Sequence, residues 1–479
     1  MLKPLKIYYK FIILLLLSGL AIALSLLPIY LPSFLVIGIL IFGLLCLVIL
    51  KDPMWGMYLL VFFLPFERIG SYDVAGITIR LSQIVALLTI FAWVARGFNL
   101  QSFKLRPQPL FWPIVCFLAF NALAIINSPN PDRSIKVLIF TAFTLLICLL
   151  IPNIIRHGDQ LPRLINLLCL SLLLVSLFGL YQFLGDIVGL PTSLTGLREQ
   201  YTKEVLGFPR IQSTALEPLY FANYLLIPLS ILISLFLSKA SKIKPLVLVG
   251  LIALGGINLV LTVARGGYLA FAGCLLLFLV IYFKRLFNIK NIIYAVLAVV
   301  IIYFGANSFL NLNIEGTKEK FLAHAENIFS GAAYVERADT FTEAYHAWLN
   351  HPWLGIGPGS FGPYVSYHPL AVPSDGYLIV NNEYMELLAE TGIIGLLIFV
   401  IIVGIIFIRS LKAIKQAKDK YVKAIIIGLM VALAGILAQY NTFSVLYIMH
   451  IWVAIGLLIA CQNIVFLKKY EKNSSNPRV

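Results

Sequence analysis

Three arginines stand where arginine is least expected. Arg210 lies in GFPRIQSTALEPLYFANYLL, Arg265 in LTVARGGYLAF and Arg337 in VERADTFTEAYHAWLN. Each lies on the side of the chain that is otherwise poor in Lys and Arg, and ionisable groups near an apolar zone are costly and ordinarily have partners. The planar guanidinium fork suits the oxygens of phosphate or pyrophosphate. A snorkelling or salt-bridged arginine is the plainer reading. It is weakest for Arg265, where Gly266 and Gly267 follow and invite close approach. Carboxylates that could assist a proton transfer are Glu217, Glu383 and Glu386. The combination points to an anionic amphiphile such as a lipid pyrophosphate. The arginines would hold the diphosphate, the tail would lie between helices, and the acidic segment would face a sugar-like acceptor.

The segment that must position these groups runs through HPWLGIGPGSF, His351 to Phe361. Before it, Phe341, Ala344, Tyr345 and Trp348 recur at spacings of three and four, which predicts a helix over 335–349. The His351-Pro352 pair ends that helix. Gly357 and Gly359 then allow a tight path or a close backbone approach. GIGPGS resembles a phosphate loop, but no Lys follows and no strand precedes it, so a Walker-type site is excluded. Two readings remain: a turn joining two helices, or a turn that also lines a site for a phosphorylated ligand. Beyond it, Asn382, Glu386 and Glu390 share one helix face at i, i+4 and i+8, with Glu383 on another side.

Where this segment lies depends on the membrane. The chain has 479 residues, is 61% hydrophobic and only 12% charged, and has a mean hydropathy of +0.95. Runs such as 11–27, 34–50 and 393–408 are apolar throughout. The pattern predicts an all-α polytopic membrane protein with about 12–14 transmembrane helices. Expected spans include 11–30, 33–50, 54–66, 291–308, 389–408, 424–443 and 445–466. Lys3, Lys6 and Lys10 precede the first, which reads as a retained signal anchor because no small-residue cleavage site is evident.

Lys and Arg orient such chains. With both termini cytoplasmic, most of the 36 Lys and Arg fall inside and most of the 21 Asp and Glu fall outside. The net +15 is therefore a topology signal. Two outside loops result, 185–218 and 309–388, and long ordered loops usually carry function. The expected organisation is an N-terminal bundle over 1–308, a large extracytoplasmic loop over 309–388 and C-terminal helices with a short tail over 389–479. No basic, aromatic-interleaved surface speaks for nucleic acid. Cys116, Cys169, Cys274 and the other cysteines lie in apolar runs and suit neither a disulfide framework nor a zinc site. No metal or cofactor is expected.

The stretch from Arg337 through Ala347-Trp348, HPWLGIGPGSF and NNEYMELLAETGIIGLL resembles the O-antigen ligase and polymerase superfamily of polytopic glycan-transfer proteins. ARGGYLA and RIQSTALEPLYFANYL sit where that family has its other arginine-bearing patterns. The resemblance covers roughly residues 200–400. It implies a GT-C-like, metal-independent glycosyltransferase at the outer face of the cytoplasmic membrane. The donor would be an undecaprenyl-diphosphate-linked oligosaccharide and the acceptor a glycan or lipid. A chain-length regulator or flippase would be a possible partner. O-antigen, capsule and exopolysaccharide assembly are the settings it suggests.

By resemblance, Arg210, Arg265 and Arg337 would bind and stabilise the diphosphate leaving group. Glu383 joins them as a catalytic candidate. Glu217, His351, Gly357, Gly359, Asn382 and Glu386 are the substrate-binding candidates. Family ligases carry a His-Asn pair where this chain has Asn381-Asn382, and Asn cannot serve as a base. His351 and His368 are the nearby substitutes. The missing His favours a polymerase over a ligase to lipid A core.

A small-anion, bicarbonate-related transporter is the rival from another class. A carrier should show midplane charges, broken helices or repeats. No repeat is evident here, and polar residues inside spans are few, among them Asn121, Gln439 and Asn441. A scaffold within an assembly complex is a third reading.

Overall fold

The computed structural model describes residues 43–68, 71–74, 77–99, 106–286, 332–366, 378–444 and 446–474. The expected spans 11–30 and 291–308, the first part of 33–50, the first part of the 309–388 loop and His368 lie outside the described residues. The chain divides into two compact units. One comprises Met1–Gly56 with Leu87–Phe103, and the other Met57–Ala86 with Lys104–Val479. In the first, Arg96 pairs with Asp52 at 3.0 Å, and the Asp52 carboxylate also accepts from the Met54 amide at 3.2 Å.

The long helices are α1 (Pro53–Phe63), α2 (Leu81–Asn99), α3 (Phe111–Ala124), α4 (Pro131–Ile154), α5 (Leu161–Ile187), α6 (Pro218–Ser238), α7 (Pro245–Leu261) and α8 (Arg265–Ile281). After the undescribed stretch come α9 (Ala332–Asn350), the short α10 (Phe361–Ser366), α11 (Glu383–Gln416), α12 (Lys420–Gln439) and α13 (Met449–Ser474). Six helical segments among the described residues are long and apolar enough to cross a membrane, so the chain is an all-α polytopic membrane protein. Among the described residues it departs from all-α in one place: Tyr72–Val74 pairs antiparallel with Ile77–Ile79, Tyr72 opposite Ile79.

Local chemistry sets the helix starts. Asn130 caps α4 by accepting from the Arg133 amide at 3.2 Å, with Pro131 at the first helical position and Asp132 in the first turn. Asp419 caps α12, accepting from Tyr421 and Val422 amides at 2.8 and 3.4 Å. Pro218 and Pro245 open α6 and α7.

In the larger unit, α6 packs chiefly on α12, α8 also packs on α12, and α13 packs on α4. Trp452, Phe221, Phe443 and Phe278 are among the side chains fully enclosed there. The loop segment carries its own small core of Ala344, Ala347, Ile356, Phe361, Val380 and Ala389. The 335–349 helix expectation corresponds to α9, but the buried stripe runs through Thr340, Ala344 and Ala347. Phe341 and Tyr345 are 43% and 44% exposed. Small residues face α11 because the helices approach closely, and that turns the aromatics outward.

Candidate active site

Arg210 is held by its backbone. Its amide donates to Tyr201 O at 2.8 Å, and the next amide, Ile211, donates to Leu261 O at the end of α7 at 3.1 Å. The side chain lies 5.7 Å from the Tyr201 ring centroid, with Nε 3.4 Å from Thr262 O. The chain then passes through Val263 at φ +49° and enters α8 at Arg265. A β-branched residue in the left-handed region is strained by roughly 1–3 kcal/mol. The two glycines after Arg265 serve the packing of protein on protein. A Cβ on Gly266 would overlap the Thr442 side chain, and one on Gly267 would stand 2.7 Å from Ala222 Cβ.

These elements frame one cavity of about 660 Å³. Arg210, Arg265 and Arg337 line it on the cationic side. Thr342, Asn381, Asn382, Asn441 and Thr442 line it as neutral polar groups, with Phe341 and Leu269 among its apolar lining. No Asp or Glu is among its described lining residues. Arg265 is also the first residue of its helix, where the backbone dipole disfavours a cation. Burial lowers the pKa of Arg210. Tyr201, Tyr268 and Glu217 act to raise it, and the Arg265 guanidinium lowers it further. Arginine nonetheless stays protonated, so the cavity concentrates positive charge that an anion would relieve.

The HPWLGIGPGSF segment is sewn to α11 where that helix breaks. Gly392 has φ +66° and ψ −174°, a conformation essentially confined to glycine. Around it Ile356 donates to Ala389 O at 2.9 Å, Gly357 to Glu390 O at 2.9 Å and Ile393 to Pro352 O at 3.0 Å. The Glu390 carboxylate accepts from the Gly359 amide at 2.7 Å and the Phe361 amide at 3.0 Å. The turn between α3 and α4 grips the other side. Asn127 donates to Gly355 O at 2.9 Å, Arg133 Nε to Gly359 O at 2.7 Å, and the Ser128 and Ser360 hydroxyls are 2.8 Å apart. Cβ atoms on Gly357 and Gly359 would lie 2.9 Å from Ser128 Cβ and 2.6 Å from Val137 Cγ2.

The cavity thus gathers Arg210, Arg265, Arg337 and Asn382. Glu217 directly precedes α6 and acts electrostatically on Arg210. Glu383, His351, Gly357, Gly359 and Glu386 are not among the described lining residues. Glu383 is 3% exposed and its amide donates to Tyr440 O at 2.8 Å. The Glu386 carboxylate accepts from the Val380 amide at 3.0 Å, next to Asn381. The His351 amide closes α9 on Ala347 O and Trp348 O at 3.2 and 3.0 Å. The Gly357 and Gly359 amides donate to Glu390, so both are engaged within the protein.

Sequence reasoning passed over Thr342 and Thr442, whose polarity is ordinary until the fold gathers them, and read Asn381 only as the residue in place of a family His. It also passed over a buried polar chain that reaches the cavity residue Thr442 through the Gln439 carbonyl. His450 Nε2 contacts Asn223 Oδ1 at 2.7 Å, Asn223 Nδ2 donates to Gln439 Oε1 at 2.9 Å, and Glu67 Oε1 lies 3.9 Å from His450 Nδ1. An ionisable His inside an apolar run was the available signal.

Residues 249–400 match the family model for O-antigen ligase. The match takes in Arg265, Arg337 and the whole HPWLGIGPGSF segment, while Arg210 and Glu217 precede it. Compared with curated proteins, the chain matches none. The O-antigen ligase match and the multi-span architecture together support a glycan-transfer role of the ligase and polymerase kind.

Proposed function

We propose that this protein is a glycosyltransferase of the cytoplasmic membrane. It takes a glycan from undecaprenyl diphosphate at the outer face and transfers it to another lipid-linked glycan, as a polymerase does. One observation carries this reading: three arginines line a single cavity that has no carboxylate among its described lining residues. The acceptor hydroxyl oxygen attacks the anomeric carbon of the donor sugar. A glycosidic C–O bond forms as the bond from that carbon to the diphosphate breaks, with inversion, and the electron pair leaves with the diphosphate. Negative charge grows there, where preorganised guanidinium groups stabilise it most. Diphosphate is acidic, so its departure needs no general acid.

The acceptor proton leaves late, assisted by Glu217, whose charge acts on Arg210. Glu383 and Glu386 hold the 380–383 segment beside the cavity, and Gly357, Gly359 and His351 shape the loop that supports it. In this GT-C-like reading the 309–388 loop lies outside, over the site, and both termini are cytoplasmic. Asn381 stands where family ligases have His, which supports polymerase over ligase because Asn cannot accept the proton. A chain-length regulator or flippase is the expected partner.

The test uses purified protein with undecaprenyl-diphosphate-linked repeat units, with and without lipid A core, and sizes the products. Lengthening of the lipid-linked glycan that is lost in Arg265→Ala and Arg337→Ala is the expected result. Transfer only to the core would make it a ligase. Polymer output intact in both variants would overturn the arginine mechanism. No turnover by folded protein would return the transporter and scaffold readings.

A further inference from the structure

Arg409 stands at the other end of the bundle. Asn382, just before α11, and Asn441, just after α12, line the cavity, so the end of α11 and the start of α12 lie at the far side. Arg409 is the first charge after the uncharged run 393–408, about 24 Å of helix at about 1.5 Å per residue. That length sets its guanidinium near the edge of a hydrocarbon core about 30 Å thick, at the depth of lipid headgroups. Two amides of α13 brace it. Arg409 Nε donates to Gln462 Oε1 and Nη2 to Asn463 Oδ1, both at 3.1 Å. The amides are themselves preset: Gln462 Nε2 donates to Ser410 Oγ at 2.9 Å and Asn463 Nδ2 to Pro107 O at 3.0 Å, which turns their oxygens to the arginine. The Phe466 ring covers the guanidinium, with its centroid 5.0 Å from Cζ.

These partners use the Nε edge of the guanidinium and none of its charge. Of five N–H groups, three remain, on Nη1 and Nη2, and together they form the end of the fork that fits two oxygens of one phosphate. Lys412 and Lys415 are exposed and follow at helical spacing, one and two turns on. They continue the outward stripe of Leu397, Ile401 and Ile408, each more than half exposed, which is the face α11 turns to acyl chains. The nearest acid in sequence, Asp419, is engaged capping α12. None of the ion pairs among the described residues involves Arg409, Lys412 or Lys415. Membrane orientation alone asks for Lys and Arg on one side. It does not ask for a guanidinium braced by two preset amides with its outer edge open.

We infer that Arg409 and Lys412 form a binding site for the phosphate of an anionic phospholipid, in the leaflet opposite the cavity. The Arg409 fork takes two phosphate oxygens, Lys412 adds a second cation, and the acyl chains lie along Leu397, Ile401 and Ile408. The depth of Arg409 and the adjoining apolar stripe suit a lipid rather than a soluble phosphate. Phosphatidylglycerol brings a net negative charge to this group of cations, whereas phosphatidylcholine brings its own ammonium with its phosphate.

The test titrates the purified full chain, in detergent micelles, with phosphatidylglycerol and with phosphatidylcholine of the same acyl chains, and counts the retained lipid by native mass spectrometry. The expected result is that phosphatidylglycerol binds about tenfold more tightly. Arg409→Gln with Lys412→Gln should bring the two lipids level, and Lys418→Gln, in the exposed turn before α12, should leave the preference as it was. If the double variant misfolds, Lys412→Gln alone should lower the preference, and Arg409→Lys, which keeps the charge and loses the fork, should lower it too. Equal binding of the two lipids by the natural chain, or a preference that survives the Arg409 and Lys412 substitutions, overturns the inference. Displacement of the lipid by an equal concentration of glycerol 3-phosphate would make this a site for soluble phosphate and overturn the lipid assignment.

Discussion

Glu390 holds Gly359 in place: the glycine amide donates to Oε2 at 2.7 Å, and the Phe361 amide reaches the other carboxylate oxygen at 3.0 Å. A carboxylate that the sequence shows only as sharing a helix face with Asn382 and Glu386 is the clasp of a loop. Hydrogen bonds to charged groups are worth about 1.5–3 kcal/mol each, and a buried donor left unmade costs about 1–3 kcal/mol. Glu390→Ala should therefore lower stability by roughly 2–4 kcal/mol, measured by thermal unfolding in detergent. Glu390→Gln keeps one oxygen acceptor and should lose less. If Glu390→Ala unfolds like the natural chain yet stops glycan transfer, the residue acts in the chemistry and the clasp assignment is wrong.

Gly355 and Gly392 meet across the same joint. Both have positive φ, +73° and +66°. A Cβ on Gly355 would overlap the Glu390 backbone, and one on Gly392 would overlap the Trp353 carbonyl. Alanine at either position combines strain with backbone overlap, and should cost about 3 kcal/mol or more. Gly404, in the same helix, has nothing within 4 Å of its added Cβ, so Gly404→Ala should unfold like the natural chain. Equal yields of folded protein from Gly355→Ala and Gly404→Ala would contradict the interlock.

Much of the membrane part was legible because a hydropathy window needs only neighbours in sequence. The expected spans 54–66, 389–408, 424–443 and 445–466 each coincide in the main with a helix. The arginines were legible because a cation beside an apolar run is conspicuous without any partner in view. The purpose of the glycines and carboxylates was not. Gly357 and Gly359 approach Ser128 and Val137, and Glu390 binds amides 29 and 31 residues away. No local pattern reports such a pairing. Asn382, Glu386 and Glu390 do share a face, but that face turns to the 355–361 loop and Val380. The sequence could not say that its acceptors were already engaged. The neutral polar lining of the cavity was not legible as a group for another reason. Asn381, Thr342 and Thr442 come from three separate segments, and only their convergence makes them a site.

The arginines should separate activity from stability. Arg337 is solvent-exposed on α9, and Arg337→Ala should change stability by no more than about 0.5 kcal/mol. Its transfer rate should nevertheless drop by about 10²–10³, the usual cost of removing one preorganised donor from a developing oxyanion. Lysine keeps the charge but loses the fork, so Arg265→Lys and Arg337→Lys should recover only part of that loss. The measurement is initial rate against donor concentration. Full recovery by lysine would mean that charge alone matters and that no bidentate contact to the diphosphate exists.

The buried polar chain that ends at Gln439 tests how the helices around the cavity are held. Asn223 links α6 to α12 through Gln439 and to α13 through His450. Gln439 also accepts, through its backbone carbonyl, from the Thr442 amide and hydroxyl at 2.8 and 3.0 Å, so the chain ends one step from the cavity. Replacing Asn223 by Leu leaves both His450 and Gln439 with a lost partner. Interhelical hydrogen bonds in membranes are worth about 0.6–2 kcal/mol, so Asn223→Leu should cost on that order or somewhat more. Gln439→Leu alone should cost a comparable amount. With both partners apolar, the Asn223→Leu, Gln439→Leu double variant has no orphaned donor between those two positions. Its loss should fall short of the sum of the singles by about 1 kcal/mol. Unfolding by denaturing detergent in the four proteins of the cycle measures this coupling. Strict additivity would mean that the two amides do not depend on each other, and the α6–α12 contact would then rest on apolar packing and close approaches such as Gly428 against the Ile231 backbone.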